Sequence, residues 1–219
     1  MSRPGAALAL ALGLTLLTSG APAQDRSPLT REQALADIRK PDLEARRRAT
    51  AWLGEVGVIA DAAVLIGALT DGDEVVRTLA EHSVWQVWGR SGDAEADGLL
   101  QAGIEQMSRG DGPAAVETFT RAIQRKPDFA EAWNKRATVY FLMGEHERSL
   151  RDCDEVMKRN PSHFGALAGY GQIYLQLDQP ERALTYFRRA LRVNPNMRGV
   201  QQIIPQLEQL LTERRKGTI

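Results

Sequence analysis

Apolar positions in the second half of the chain recur at three- and four-residue steps, in blocks that themselves repeat. Ala115, Phe119 and Ala122 lie at i, i+4 and i+7, the stripe of one helix. Leu99, Gly103 and Gln106 fall on one face of a helix before it, with a small residue where a second helix would approach closely. Ile203, Ile204, Leu207, Leu210 and Leu211 predict a last amphipathic helix over about 197–215, kinked or displaced by Pro205. Upstream, Thr30 followed three residues later by Gln33 reads as a capped helix start, with Leu35 and Ile38 as its apolar edge. Hardly any stretch alternates with a period of two, so the fold class predicted is all-α.

The blocks keep a fixed step. Pro127, Pro161 and Pro195 are spaced by 34 residues. The same step aligns Leu99 with Trp133 and Leu167, Gly103 with Ala137 and Gly171, and Gln106 with Tyr140 and Tyr174. It also aligns Phe119 with Cys153 and Phe187, and Ala122 with Val156 and Ala190. Gly110, Gly144 and Asp178 fall where a left-handed residue would end the first helix of each unit, and each proline stops the second. Three in-register units of this kind resemble the tetratricopeptide repeat family closely. The resemblance implies helical hairpins over 94–195, as units at about 96–129, 130–163 and 164–197, with the helix after them covering the exposed edge of the third. Gln106, Cys153 and Ser149 depart from the family's usual residues.

Residues 41–90 repeat with a different step. Asp42, Arg46, Ala49, Leu53 and Val56 match Asp73, Arg77, Ala80, Val84 and Val87 at a spacing of 31. Paired helices with an acidic turn and an arginine near the start of the next helix resemble HEAT-type repeats. Residues 24–40 form a leading segment with the short helix, and Gly89 to Asp93 reads as a linker. Together the two resemblances imply an α-α superhelical solenoid, HEAT-like hairpins first and tetratricopeptide hairpins second.

Composition narrows the function classes. Lys+Arg and Asp+Glu balance at 28 each in 219 residues, which argues against a nucleic-acid binder. Arg3, the apolar run Ala6 to Leu17 and the small residues of Ala21-Pro22-Ala23 read as a secretory signal peptide over 1–23, with cleavage before Gln24. The expected compartment is therefore the periplasm or the exterior, with no stable membrane insertion after cleavage. Cys153, the one cysteine, excludes a disulfide within the chain, and it falls in a core column. His82, His146 and His163 have no cysteine or carboxylate spaced around them as metal ligands. No phosphate-binding loop, nucleophile elbow or zinc-protease motif is present. The chain reads as a non-enzyme without cofactor or metal. Trp52, Trp85 and Trp88 recur at helical spacing and are assigned to core packing.

The tetratricopeptide resemblance implies a concave groove lined by the first helix of each unit. Carried over position by position, it assigns Leu100, Ile104 and Met107 in the first unit, Asn134, Lys135, Thr138, Phe141 and Leu142 in the second, and Gln172 and Leu175 in the third. The groove is mainly apolar, which suits an extended peptide or an amphipathic helix from a protein partner. The family's clamp for C-terminal carboxylates of cytosolic chaperones is not expected. Its positions hold Leu100, Ile104, Lys135, Gly165 and Gly169, of which only Lys135 is compatible. The function expected is an exported scaffold or adaptor, monomeric or weakly self-associating. A self-assembling envelope protein or a non-catalytic enzyme subunit are the alternatives.

Overall fold

The computed structural model describes residues 29–217, and the predicted signal segment lies outside them. The described residues are helical throughout, with no strand among them. An amino-terminal block holds α1 (Arg31–Asp37), α2 (Leu43–Val56), α3 (Ala62–Ala68) and α4 (Glu74–Trp88). Three antiparallel hairpins follow: α5 (Ala94–Ser108) with α6 (Gly112–Arg125), α7 (Ala130–Leu142) with α8 (His146–Arg159), and α9 (Phe164–Gln176) with α10 (Pro180–Val193). The last helix, α11 (Arg198–Gly217), runs through Pro205 instead of starting after it.

Local chemistry accounts for where these helices begin and turn. Thr30 accepts from the amide of Gln33, whose side chain bonds back to the Thr30 amide, so the capping box starts α1. Gly110, Gly144 and Asp178 have φ of +79°, +77° and +52°, the left-handed turn that separates the two helices of each unit. A non-glycine residue in that region is uncommon, and Asp is among the types that tolerate it.

The hairpins close on complementary volumes. A Cβ on Gly103 would lie 2.4 Å from the Phe119 ring, and one on Gly171 would lie 2.4 Å from the Phe187 ring. Both rings are fully buried. The middle unit carries Ala137 and Cys153 in these two columns, a larger first-helix residue facing a smaller second-helix one. Ser149, which also departs from the family pattern, is satisfied there by donating to the Ala137 carbonyl at 2.7 Å. The close approach reverses an ordinary rule. Alanine normally gains about 1 kcal/mol over glycine inside a helix. Gly171→Ala is instead expected to lower the unfolding free energy by about 1–3 kcal/mol through overpacking. Urea unfolding checks the sign, and an increase in stability would refute the packing argument.

The 31-residue repetition is realised in the amino-terminal block as two equivalent helices. Asp42 and Asp73 cap α2 and α4. Arg46 donates to the carbonyls of Lys40 and Pro41, as Arg77 does to those of Asp71 and Gly72. Ala49 and Ala80 are fully buried, and so are Leu53 and Val84. The last pair breaks the equivalence, since Val56 is exposed while Val87 is buried. The HEAT resemblance rests on this repetition alone. Arg46 and Arg47 reach forward to Asp71 and Asp73 at 2.8 Å and tie α2 to the start of α4.

This block does not extend the solenoid end to end. It folds back, and α4 crosses the turns between the helical units in reverse order. Near its carboxyl end, Trp88 borders the first inter-unit turn beside Phe129 and Ala130. Trp88 also stacks on His163 at 4.2 Å, and Trp85 meets Phe164 edge-on at 5.1 Å, both at the second turn. Towards its amino end, Arg77 donates to Asn196 at 3.2 Å in the third turn, and Asn196 donates to the Leu69 carbonyl at 2.8 Å. From Arg77 to Trp88 a helix advances about 16 Å, about two interhelical spacings. Phe164 of α9 is buried in the same apolar cluster as Leu53, Leu65, Leu69, Val84 and Trp88.

Candidate functional site: a groove between the second and third units

The groove between α7 and α9 holds a cavity of about 270 Å³. Its walls are Ala137, Phe141, Leu142 and Ile173, with Gly165 and Gly169 leaving the face of α9 bare. Asn134, Thr138 and Gln172 supply the polar groups at its edge. The cavity extends inward to Ser149 and Cys153 of α8. Cys153 stands where the flanking units place Phe119 and Phe187, so the missing ring volume lies beneath the groove. Gly169 keeps that volume open: a Cβ there would meet nothing nearer than the Cys153 sulfur at 3.8 Å.

The residues expected from sequence divide. Asn134, Thr138, Phe141, Leu142 and Gln172 come together around the cavity. Leu142 is 68% exposed, a large apolar side chain offered to solvent at the lip. Leu100 is instead 1% exposed and shares a core cluster with Phe119 and with Ala132 and Val139 of α7, because it faces the second unit. Ile104 and Met107 are half-buried against that same cluster, and Leu175 packs on the core of the third unit. Lys135 pairs with Glu131 at 3.1 Å, and its ammonium lies 5.6 Å from the Trp85 ring centre. Sequence reasoning missed the contributions of Ser149, Cys153 and Ile173. The one available signal was that Cys153 and Ser149 depart from the repeat pattern in adjacent turns of a single helix.

One buried polar cluster sits at the amino-terminal end of the groove. His163, fully buried, accepts the Ala166 amide on Nδ1 at 3.1 Å, so Nε2 carries the hydrogen and bonds Glu131 at 2.9 Å. Asn134 donates to the same carboxylate at 3.1 Å. Sequence spacing offered His163 no carboxylate partner, because Glu131 and His163 belong to different units and meet only through the superhelix. Burial opposes ionisation of Glu131, but the His163 hydrogen bond and the Lys135 ammonium outweigh it and hold the carboxyl below its ordinary range.

The thiol on the groove floor is not poised as a nucleophile. Burial, with Asp152 and Asp154 nearby, pushes the Cys153 thiol up to about 12, so little thiolate forms. Among the described residues no three His, Cys, Asp or Glu side chains gather as a metal site. No helix of the described residues is long and apolar enough to cross a membrane. A second cavity of about 230 Å³ lies at the junction of the two blocks, bordered by Ile59, Trp88, Phe129, Arg90, Lys126 and Arg159. Its cations are already engaged. Arg90 bonds the Gly54 and Gly57 carbonyls, Arg159 bonds Pro127 and Glu155, and Lys126 pairs with Asp128.

Residues 128–196, the second and third units, match the family described as tetratricopeptide repeat. The chain carries tetratricopeptide repeats. A tetratricopeptide repeat-containing protein of Rhizobium etli is 34% identical over 128 residues, covering 58% of this chain and 63% of the relative. Hsp70-Hsp90 organizing protein 1 of Glycine max is 25% identical over 116 residues, 51% of this chain and 20% of that protein. The chain thus spans less than two thirds of either relative. Among solved structures, the tetratricopeptide domain of Sgt2 from Aspergillus fumigatus superposes with a TM-score of 0.54 at 19% identity, over 58% of this chain and 85% of that one. The first tetratricopeptide domain of Spaghetti (RPAP3), bound to an HSP90 peptide, gives 0.52 at 22% identity, over 54% and 94%. These likenesses establish the repeat fold.

Proposed function

We propose that this protein is a non-catalytic exported adaptor that holds an apolar segment of a protein partner in the groove between α7 and α9. The observation that carries the reading is the open cavity of about 270 Å³ reaching Cys153, walled by apolar side chains and fronted by the exposed Leu142. An exposed large apolar side chain beside a concave apolar site is a mark of a recognition surface. Asn134, Thr138 and Gln172 stand at the edge to meet the polar backbone of a bound segment. The similar Spaghetti domain holds a chaperone peptide. A different ligand chemistry is expected here. Of the positions that would grip a terminal carboxylate, Leu100 is in the core, Gly165 and Gly169 have no side chain, and Lys135 is committed to Glu131. Export rests on the signal-like segment 1–23 and is checked by sequencing the amino terminus of the protein from a cell-envelope fraction.

Gly169→Leu tests the groove, because leucine suits a helix better than glycine and its side chain fills the cavity. Crosslinking of the full chain in the envelope is expected to capture a partner through the wild-type groove. Capture falls at least about tenfold in Gly169→Leu and in Phe141→Asp, while circular dichroism stays helical. Undiminished capture by both variants would place the partner elsewhere.

A further inference from the structure

The amino-terminal block has a contact with the groove that the repeat pattern does not explain. A Cβ on Gly165 would lie 2.4 Å from the tip of the Trp85 indole, so the ring occupies the space over the first groove-facing position of α9. From the other side, the ammonium of Lys135, a groove-facing residue of α7, sits over the same ring. Trp85 therefore bridges α7 and α9 at the amino-terminal end of the groove, next to Asn134 and Gly165, which line the cavity. Phe141 and the exposed Leu142 stand at the other end of the groove. From Asn134 to Leu142 is about 12 Å of helix, room for about two helical turns of a ligand.

We infer that Trp85 is the end wall of the partner groove: the amino-terminal block sets the length of segment the groove accepts and controls access to its floor. This rests on the groove being the partner site, but its structural half stands separately. The contact is built to be displaceable. Trp85 is only half-buried, whereas Trp88, one turn along, is 2% exposed and anchors α4 in the core. Removing Trp85 frees the space that its indole fills over Gly165, so the groove lengthens at its Asn134 and Gly165 end, while Trp88 keeps α4 attached. The wall also explains why α9 has glycine at 165. Any side chain there collides with the indole, so the bare position is a socket for Trp85 and not an empty ligand subsite.

Cys153 provides the probe, because it is the single thiol of the chain and lies on the groove floor. The full-length mature protein is treated with iodoacetamide and, in parallel, with a bulky fluorescein maleimide, and the labelling rate of Cys153 is followed by mass spectrometry. Trp85→Ala is expected to raise the rate about tenfold, with the larger gain for the bulky reagent. Gly165→Ala, which pushes the indole out from the opposite side, gives the same change, and Trp85→Phe stays near the wild-type rate. Sub-denaturing urea separates the wall from general loosening. A local opening leaves the rate flat with urea, whereas global unfolding makes it climb. Rates unchanged in both Trp85→Ala and Gly165→Ala overturn the inference. So does an acceleration that climbs with urea in step with unfolding. If Cys153 responds as expected but partner capture survives Gly169→Leu and Phe141→Asp, the wall is real and the groove is not the partner site.

Discussion

Trp88→Ala is expected to lower the unfolding free energy by about 3–5 kcal/mol, the usual cost of deleting a buried large aromatic side chain. The residue is 2% exposed, stacks on His163 at 4.2 Å and meets Phe164 at 5.0 Å. Those partners belong to the repeat block, so the loss falls on the junction between the two blocks as well as on the amino-terminal core. Urea unfolding followed by far-ultraviolet circular dichroism measures it. The transition is expected to split in two, because the amino-terminal helices lose their hold on the repeats before the repeats themselves unfold. A single transition displaced by less than about 1 kcal/mol would mean that Trp88 contributes little to the junction.

Glu131→Ala is expected to cost a comparable amount, about 3–5 kcal/mol, for a different reason. The carboxylate is 3% exposed, and removing it leaves the His163 Nε2 hydrogen and the Asn134 amide buried without an acceptor. The substitution also has a pH signature. The folded pKa of Glu131 is depressed, so its contribution is present above the unfolded carboxyl value, about 4.3, and disappears as pH falls below it. Wild-type stability therefore declines on acidification through that range, and the variant declines less steeply over the same interval. Equal acid slopes in the two proteins would show that folding leaves the Glu131 pKa unchanged and would refute the depression.

The limits of sequence reasoning are visible in single residues. Gly110, Gly144 and Asp178 could be placed at turns because left-handed backbone is a local property that few residue types tolerate. Phe119 and Phe187 could be placed in the core because their spacing repeats with that of their glycine partners. Leu100 could not be resolved in this way. It lies beside Leu99 on α5, and which of the two faces the groove depends on how α7 packs against α5. The cavity was equally hidden. Cys153 and Ser149 read only as departures from the family's usual residues, whereas the structure turns the lost volume into an opening under the groove.

The sequence by itself determined the helices, their pairing into units and the positions of the turns, because periodicity, caps and 34-residue spacing act over one or two turns of chain. Tertiary structure alone decided that the amino-terminal block folds back across three inter-unit turns, that Glu131 meets His163, and that Trp85 closes one end of the groove. These contacts join residues far apart in the chain, 119 positions in the case of Arg77 and Asn196. No local pattern encodes them. They follow from the curvature of the stacked hairpins, which brings successive inter-unit turns into one line that a single straight helix can span.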